Sequence, residues 1–142
     1  MRRLTQLMSL ALLLGLLAVA GSAAASRKTD TLDRNQYAWA GAIRWGDFDA
    51  ALTLVDPAYL AEHPVSDLEL ARYEQVQITA YRDKGSSVDW KAGVAIREIE
   101  IGVVNRHTQA ERTVRFREQW RWDEEAKTWW TTGGLPDLWE GQ

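Results

Sequence analysis

Cysteine is absent from this chain. That excludes disulfides, thiol nucleophiles, thiolate metal sites and a lipid-modified N-terminal cysteine. Histidine is scarce: His63 lies before Pro64 in a turn-rich stretch and His107 lies in a second loop, far away in sequence. A zinc site needs three or four converging ligands, so no metal is expected. Also missing are a G-x-S-x-G elbow, a phosphate-binding P-loop, a G-x-G-x-x-G fingerprint and an H-E-x-x-H helix. Nucleophilic hydrolysis is therefore not expected, and no cofactor is implied. Basic charge is in short supply as well. The net charge is −3, and it becomes −5 without Arg2 and Arg3 at the extreme N-terminus. A general nucleic-acid binder is more often basic, so nucleic acid is not an expected partner.

The N-terminus has the three parts of a secretory leader. Arg2 and Arg3 form a basic start, Leu10 to Ala20 an apolar centre, and Ala23-Ala24-Ala25 a small-residue site that places cleavage before Ser26. The alternative is an uncleaved anchor. Leu7 to Ala25 is near the lower limit for spanning a bilayer, but its last third is Gly, Ser and Ala. The expected organisation is a signal peptide over 1–25, a polar linker over 26–30 and one domain over 31–142. The expected location is periplasmic or secreted, with the membrane reached only through a retained leader. All eight tryptophans lie after the leader, ample material for a core without disulfides.

Thr31 to Trp45 carries Leu32, Gln36, Trp39, Ala40 and Ile43 at helical spacing, with Gly46 just past the end. Asp47 caps a second helix with the stripe Phe48, Ala51, Leu52 and Val55, and Pro57 stops it. Tyr59 to Asp67 reads as a turn-rich connector with room for a helical turn. Leu70 to Arg82 alternates as a strand, with Val76, Ile78 and Ala80 on one face, and Asp83 to Ser87 is its hairpin loop. Val88 to Asn105 is a long strand whose apolar residues change phase, from Val94 and Ile96 to Ile99, Ile101 and Val103. That predicts a bulge near Arg97-Glu98. After the loop Arg106 to Ala110, Glu111 to Asp123 alternates again. Val114, Phe116, Trp120 and Trp122 face one way; Arg115, Arg117 and Arg121 face the other. A charged turn over Glu124 to Lys127 leads to a final strand, Thr128 to Thr132, and Gly133-Gly134 breaks it. The tail, Leu135 to Trp139, has apolar residues able to fold back over the sheet. The predicted class is α+β: N-terminal helices on a strongly curved, mostly antiparallel sheet of about four strands.

Two stretches resemble the nuclear transport factor 2-like superfamily. One is Ala42-Ile43-Arg44-Trp45-Gly46-Asp47-Phe48-Asp49-Ala50-Ala51-Leu52. The other is the ending, with Val114-Arg115-Phe116-Arg117, Trp120-Arg121-Trp122 and Trp129-Trp130. The resemblance is one of pattern over nearly all of the chain after the leader. It implies a conical fold with a pocket, and no particular reaction. The superfamily holds ketosteroid isomerases, polyketide cyclases and dehydratases, transport modules and exported domains.

Glu118 is the anomaly. It sits in the row of Val114, Phe116, Trp120 and Trp122, so it points inward, where a carboxylate must be paired or protonated. It is the candidate catalytic residue, as a general base of the kind isomerases of this superfamily use. The competing reading pairs it structurally with a neighbour, Arg97 or Tyr73 being the candidates. Trp39, Tyr73, Phe116, Glu118, Trp120 and Trp122 are the candidate pocket lining, or else simply core. The row Arg115, Arg117 and Arg121 reads as a solvated face with acidic cross-strand partners, or as a docking face. The favoured reading is an exported non-catalytic domain that binds a small apolar ligand or an envelope protein, with a homodimer through the sheet as an option. The alternative is a small isomerase, cyclase or dehydratase-type enzyme.

Overall fold

A computed structural model describes residues 2–140, with side chains from residue 21 onward. Most of the leader segment therefore lies outside the described side chains. The element order is α1 (Arg2–Trp45), α2 (Phe48–Leu52), α3 (Pro57–Glu62), α4 (Asp67–Tyr73), β1 (Val76–Asp89), β2 (Val94–Asn105), β3 (Glu111–Asp123) and β4 (Thr128–Thr131). The strands form one antiparallel sheet in chain order, β1-β2-β3-β4, so the α+β class holds.

Helix α1 runs on through Ser26–Asp30, the stretch read as a linker. The reason is that its docking begins there. The Trp129 indole donates to the Lys28 carbonyl at 3.0 Å, and Thr31 and Leu32 are buried one turn later. Residues 21–27 are exposed. Leu32, Trp39 and Ile43 then press the inner stripe onto the sheet. The helix stops as its sequence demands. Gly46 takes φ 73°, its N–H reaches Ile43 O, and the Asp47 N–H reaches Ala42 O, the paired bonds of a Schellman end.

Asp47 caps α2 by accepting from Ala50 N at 3.0 Å. Helix α2 ends at Leu52, ahead of the stop expected at Pro57, and the proline instead begins the next helix. Val55 bridges in parallel to Thr131, Asp56 caps α3, and Pro57 occupies its first turn. The strand expected from Leu70 starts only at Val76, because Asp67–Tyr73 is helical. Ser66 and Glu69 form a reciprocal capping box at its start.

The loop expected over Asp83 to Ser87 lies inside β1, and the hairpin turns instead at residues 90–93. Nor does β2 carry the bulge expected near Arg97-Glu98. Its register with β3 is continuous from Val94↔Arg121 to Val104↔Glu111. Val94 and Ile96 simply belong to the outer face. The register shifts fall in β1, between Ile78 and Ala80 and between Asp83 and Gly85. At the first, the strand changes phase, so Tyr81 rather than Ala80 joins the inward row, opposite Ile101. Gly102 makes room for it: a Cβ there would lie 2.5 Å from Thr79 Oγ1.

The tail does fold back. Leu138 is buried, Trp139 meets Tyr73 edge-on at 4.8 Å, and Arg112 donates to the Leu138 carbonyl.

Candidate functional site

Glu118 is fully buried on β3, and Arg97 sits directly across from it on β2. Strand register alone thus brings the acid and the guanidinium together. The Arg97 fork is bidentate, with Nε to Oε1 at 2.9 Å and Nη2 to Oε2 at 2.8 Å. Two further donors complete the shell. Tyr81 donates its hydroxyl to Oε2 at 2.5 Å, and the Trp120 indole N–H donates to Oε1. Each carboxylate oxygen accepts two bonds, which fills the roughly four lone-pair positions that a carboxylate offers. A second layer orients the first: Trp39 Nε1 donates to the Tyr81 hydroxyl at 3.1 Å, and Arg97 Nη2 reaches the Gln36 carbonyl at 3.4 Å.

The electrostatics follow from this geometry. Burial pushes the Tyr81 hydroxyl well above its ordinary range, and the Glu118 charge and hydrogen bond push it further. Tyr81 is therefore held as a neutral donor. For Arg97, burial opposes the charge, but the Glu118 hydrogen bonds and charge outweigh it and hold the guanidinium above its usual value. The unit is an ion pair with every acceptor occupied. To take a proton from a ligand, Glu118 would first have to release one of its donors.

Around this unit the interior is filled by rings. Trp39 meets Trp120 edge-on at 6.1 Å and stacks on Phe116 at 6.4 Å. Of the sequence candidates, Trp39, Phe116, Glu118 and Trp120 come together. Tyr73 does not join them. Its hydroxyl donates to Pro136 O at 2.9 Å, and burial pushes it up to about 12. Trp122 belongs to another cluster, with Trp129 at 5.7 Å and the Lys28 ammonium 5.4 Å from its ring. The tyrosine that sequence reasoning missed is Tyr81. Strict alternation puts it on the outer face, and only the shift at Thr79 turns it inward. A glycine in β2 at the opposite position, Gly102, is the one trace of that shift in the sequence.

On the outer face, Arg117 pairs with Glu98 at 3.5 Å, Arg82 with Glu100 at 3.5 Å, and Arg121 with Asp56. His63 stacks on Tyr59 at 4.4 Å, and His107 stays in its loop. Among the described residues, no group of three His, Cys, Asp or Glu side chains could hold a metal ion, and no helix is long and apolar enough to cross a membrane. An open groove of about 400 Å³ lies beyond α1, lined by Tyr37, Ala40, Gly41, Arg44, Trp45 and Tyr81.

No protein-family model matches this chain, and no curated protein matches it. Among solved structures, it is similar to the solution structure of a SEC-C motif containing protein from Rhodopseudomonas palustris. The TM-score is 0.53 and the identity 21%, over 68% of this chain and 71% of that one. At that identity the likeness is one of fold.

Proposed function

We propose that this is an exported, non-catalytic binding domain of the conical nuclear transport factor 2-like type, which works through its surface and recognises an envelope protein. One observation carries the reading: Glu118, among the described residues the one fully buried carboxylate, has both oxygens saturated by Arg97, Tyr81 and Trp120 inside a ring-filled interior. Such a unit specifies packing and offers a substrate no open base; the groove over α1 reaches only its Tyr81, whose hydroxyl is committed to Glu118 and Trp39. The small-ligand version and the isomerase, cyclase or dehydratase alternative both require that unit to open.

Removal of the leader before Ser26 is part of the proposal. The exposure of residues 21–27 supports it, because cleavage there leaves the Lys28, Thr31 and Leu32 contacts in place. Native mass spectrometry of the protein purified from its own envelope tests the whole reading. The expected species starts at Ser26, carries no small molecule and retains a protein. A stoichiometric small molecule that survives desalting, or a species still bearing its leader, would overturn the corresponding part.

A further inference from the structure

Helix α1 has a second apolar stripe, on the side away from the sheet. Tyr37 is 84% exposed and Trp45 is 85% exposed, although both are large aromatic residues on a rigid helix. They lie four residues before and four residues after Gly41, which puts all three on one face. Gly41 is open: a Cβ built on it would meet nothing within 4 Å. The groove of about 400 Å³ runs over this glycine, between the two rings.

This arrangement reads the same in both directions along the helix. A two-fold axis through Gly41, perpendicular to α1, exchanges the position of Tyr37 with that of Trp45. We propose that this face binds a second copy of the chain, with two α1 helices antiparallel and crossing at Gly41. Tyr37 of each copy then covers Trp45 of the other, so each ring enters the other copy's groove. The paired glycines let the two backbones approach closely. An interface of this kind is isologous and closes after two copies.

The charges agree with that orientation. Arg34 lies on the N-terminal side of the stripe, and Asp47 and Asp49 lie just past its C-terminal end, all exposed. Antiparallel pairing brings each Arg34 toward the acidic corner of the other copy. It also sets the two helix dipoles head to tail. A polar ligand fits the groove less well. Arg44 is its one charged group, and the Tyr81 hydroxyl is committed to Glu118 and Trp39. The sheet is the less suited dimer surface. Its outer arginines Arg82, Arg117 and Arg121 already pair with acids of the same chain, and the free edge β1 is broken by two register shifts and carries Arg82 and Lys84.

The lack of cysteine makes the test direct. Gly41→Cys in the full chain should form an interchain disulfide under mild oxidation, while Arg115→Cys on the outer sheet face should not. Sedimentation between about 1 and 500 µM, the range a small interface occupies, should show a monomer–dimer equilibrium. Tyr37→Ser with Trp45→Ser should weaken association at least tenfold with an unchanged far-ultraviolet spectrum, since neither ring is buried. Three results would each overturn the proposal. They are a monomer throughout that range, association unchanged in the double variant, and cross-linking through Arg115→Cys in place of Gly41→Cys.

Discussion

At the scale of single residues, the Glu118 unit has a stability consequence. Removing one partner of a buried, bidentate ion pair leaves the other charged and unpaired, which costs about 3–5 kcal/mol. Glu118→Gln and Arg97→Met should each lose that much in urea unfolding. The pair Glu118→Leu with Arg97→Met should lie closer to the parent than either alone. Losses below about 1 kcal/mol for both single changes would mean that the pair is not structural. A second consequence concerns alkaline pH. Tyr73 and Tyr81 both have raised values in the fold, mainly through burial. Their protonated forms are favoured by folding, so this stability is fully present below the unfolded tyrosine value of about 10. It is lost as pH rises, for Tyr73 across the window up to about 12 and for Tyr81 beyond it. Each tyrosine should contribute a slope of up to about 1.4 kcal/mol per pH unit. Tyr81→Phe should flatten the alkaline limb; an unchanged slope would rule out a buried neutral hydroxyl there.

Among the elements, β2 misleads because Val94 and Ile96, apolar residues on its outer face, imitate a phase change that its uninterrupted pairing with β3 lacks, whereas the inner face of β3 could be read directly from alternation. β1 could not. Two extra residues shift its register, and a shift by one residue exchanges the faces. Nothing local at Thr79 announces this; the partner strand does, through Gly102. Gly102→Ala should therefore cost about 1–3 kcal/mol as an overpacked site. Thr79→Ala in that background should recover part of the loss by removing the nearest atom. Full stability in Gly102→Ala would mean that the strand can be read without the bulge. Helix α4 is signalled by Ser66 and Glu69 at capping-box spacing, while the residues from Leu70 alternate as a strand would; the local cap prevails.

For the whole molecule, the core joins distant parts of the chain: α1, all four strands and the tail residue Leu138. The helix is longer than the domain needs. A chain beginning at Ser26 should match the full chain in melting temperature, whereas one beginning at Thr31 should melt lower. The second loses the Lys28 carbonyl that holds Trp129 and the Lys28 ammonium that bonds the Trp90 carbonyl at 2.9 Å. Thermal unfolding of the two chains, followed by tryptophan fluorescence, separates these outcomes. Equal melting temperatures would place the start of the domain later than Lys28.

The α+β class, the strand β3, the inward direction of Glu118 and the stop of α1 at Gly46 follow from local rules. Period-two alternation, a glycine in left-handed geometry and a capping aspartate act over a few residues, and sequence displays them. Which tyrosine meets Glu118, where the chain bulges and whether Ser26–Asp30 is linker or helix were decided by tertiary structure. Each depends on a partner far along the chain: Gly102 for Thr79, Tyr81 for Glu118 and Trp129 for Lys28. Packing selects such partners in three dimensions, and no local period encodes them.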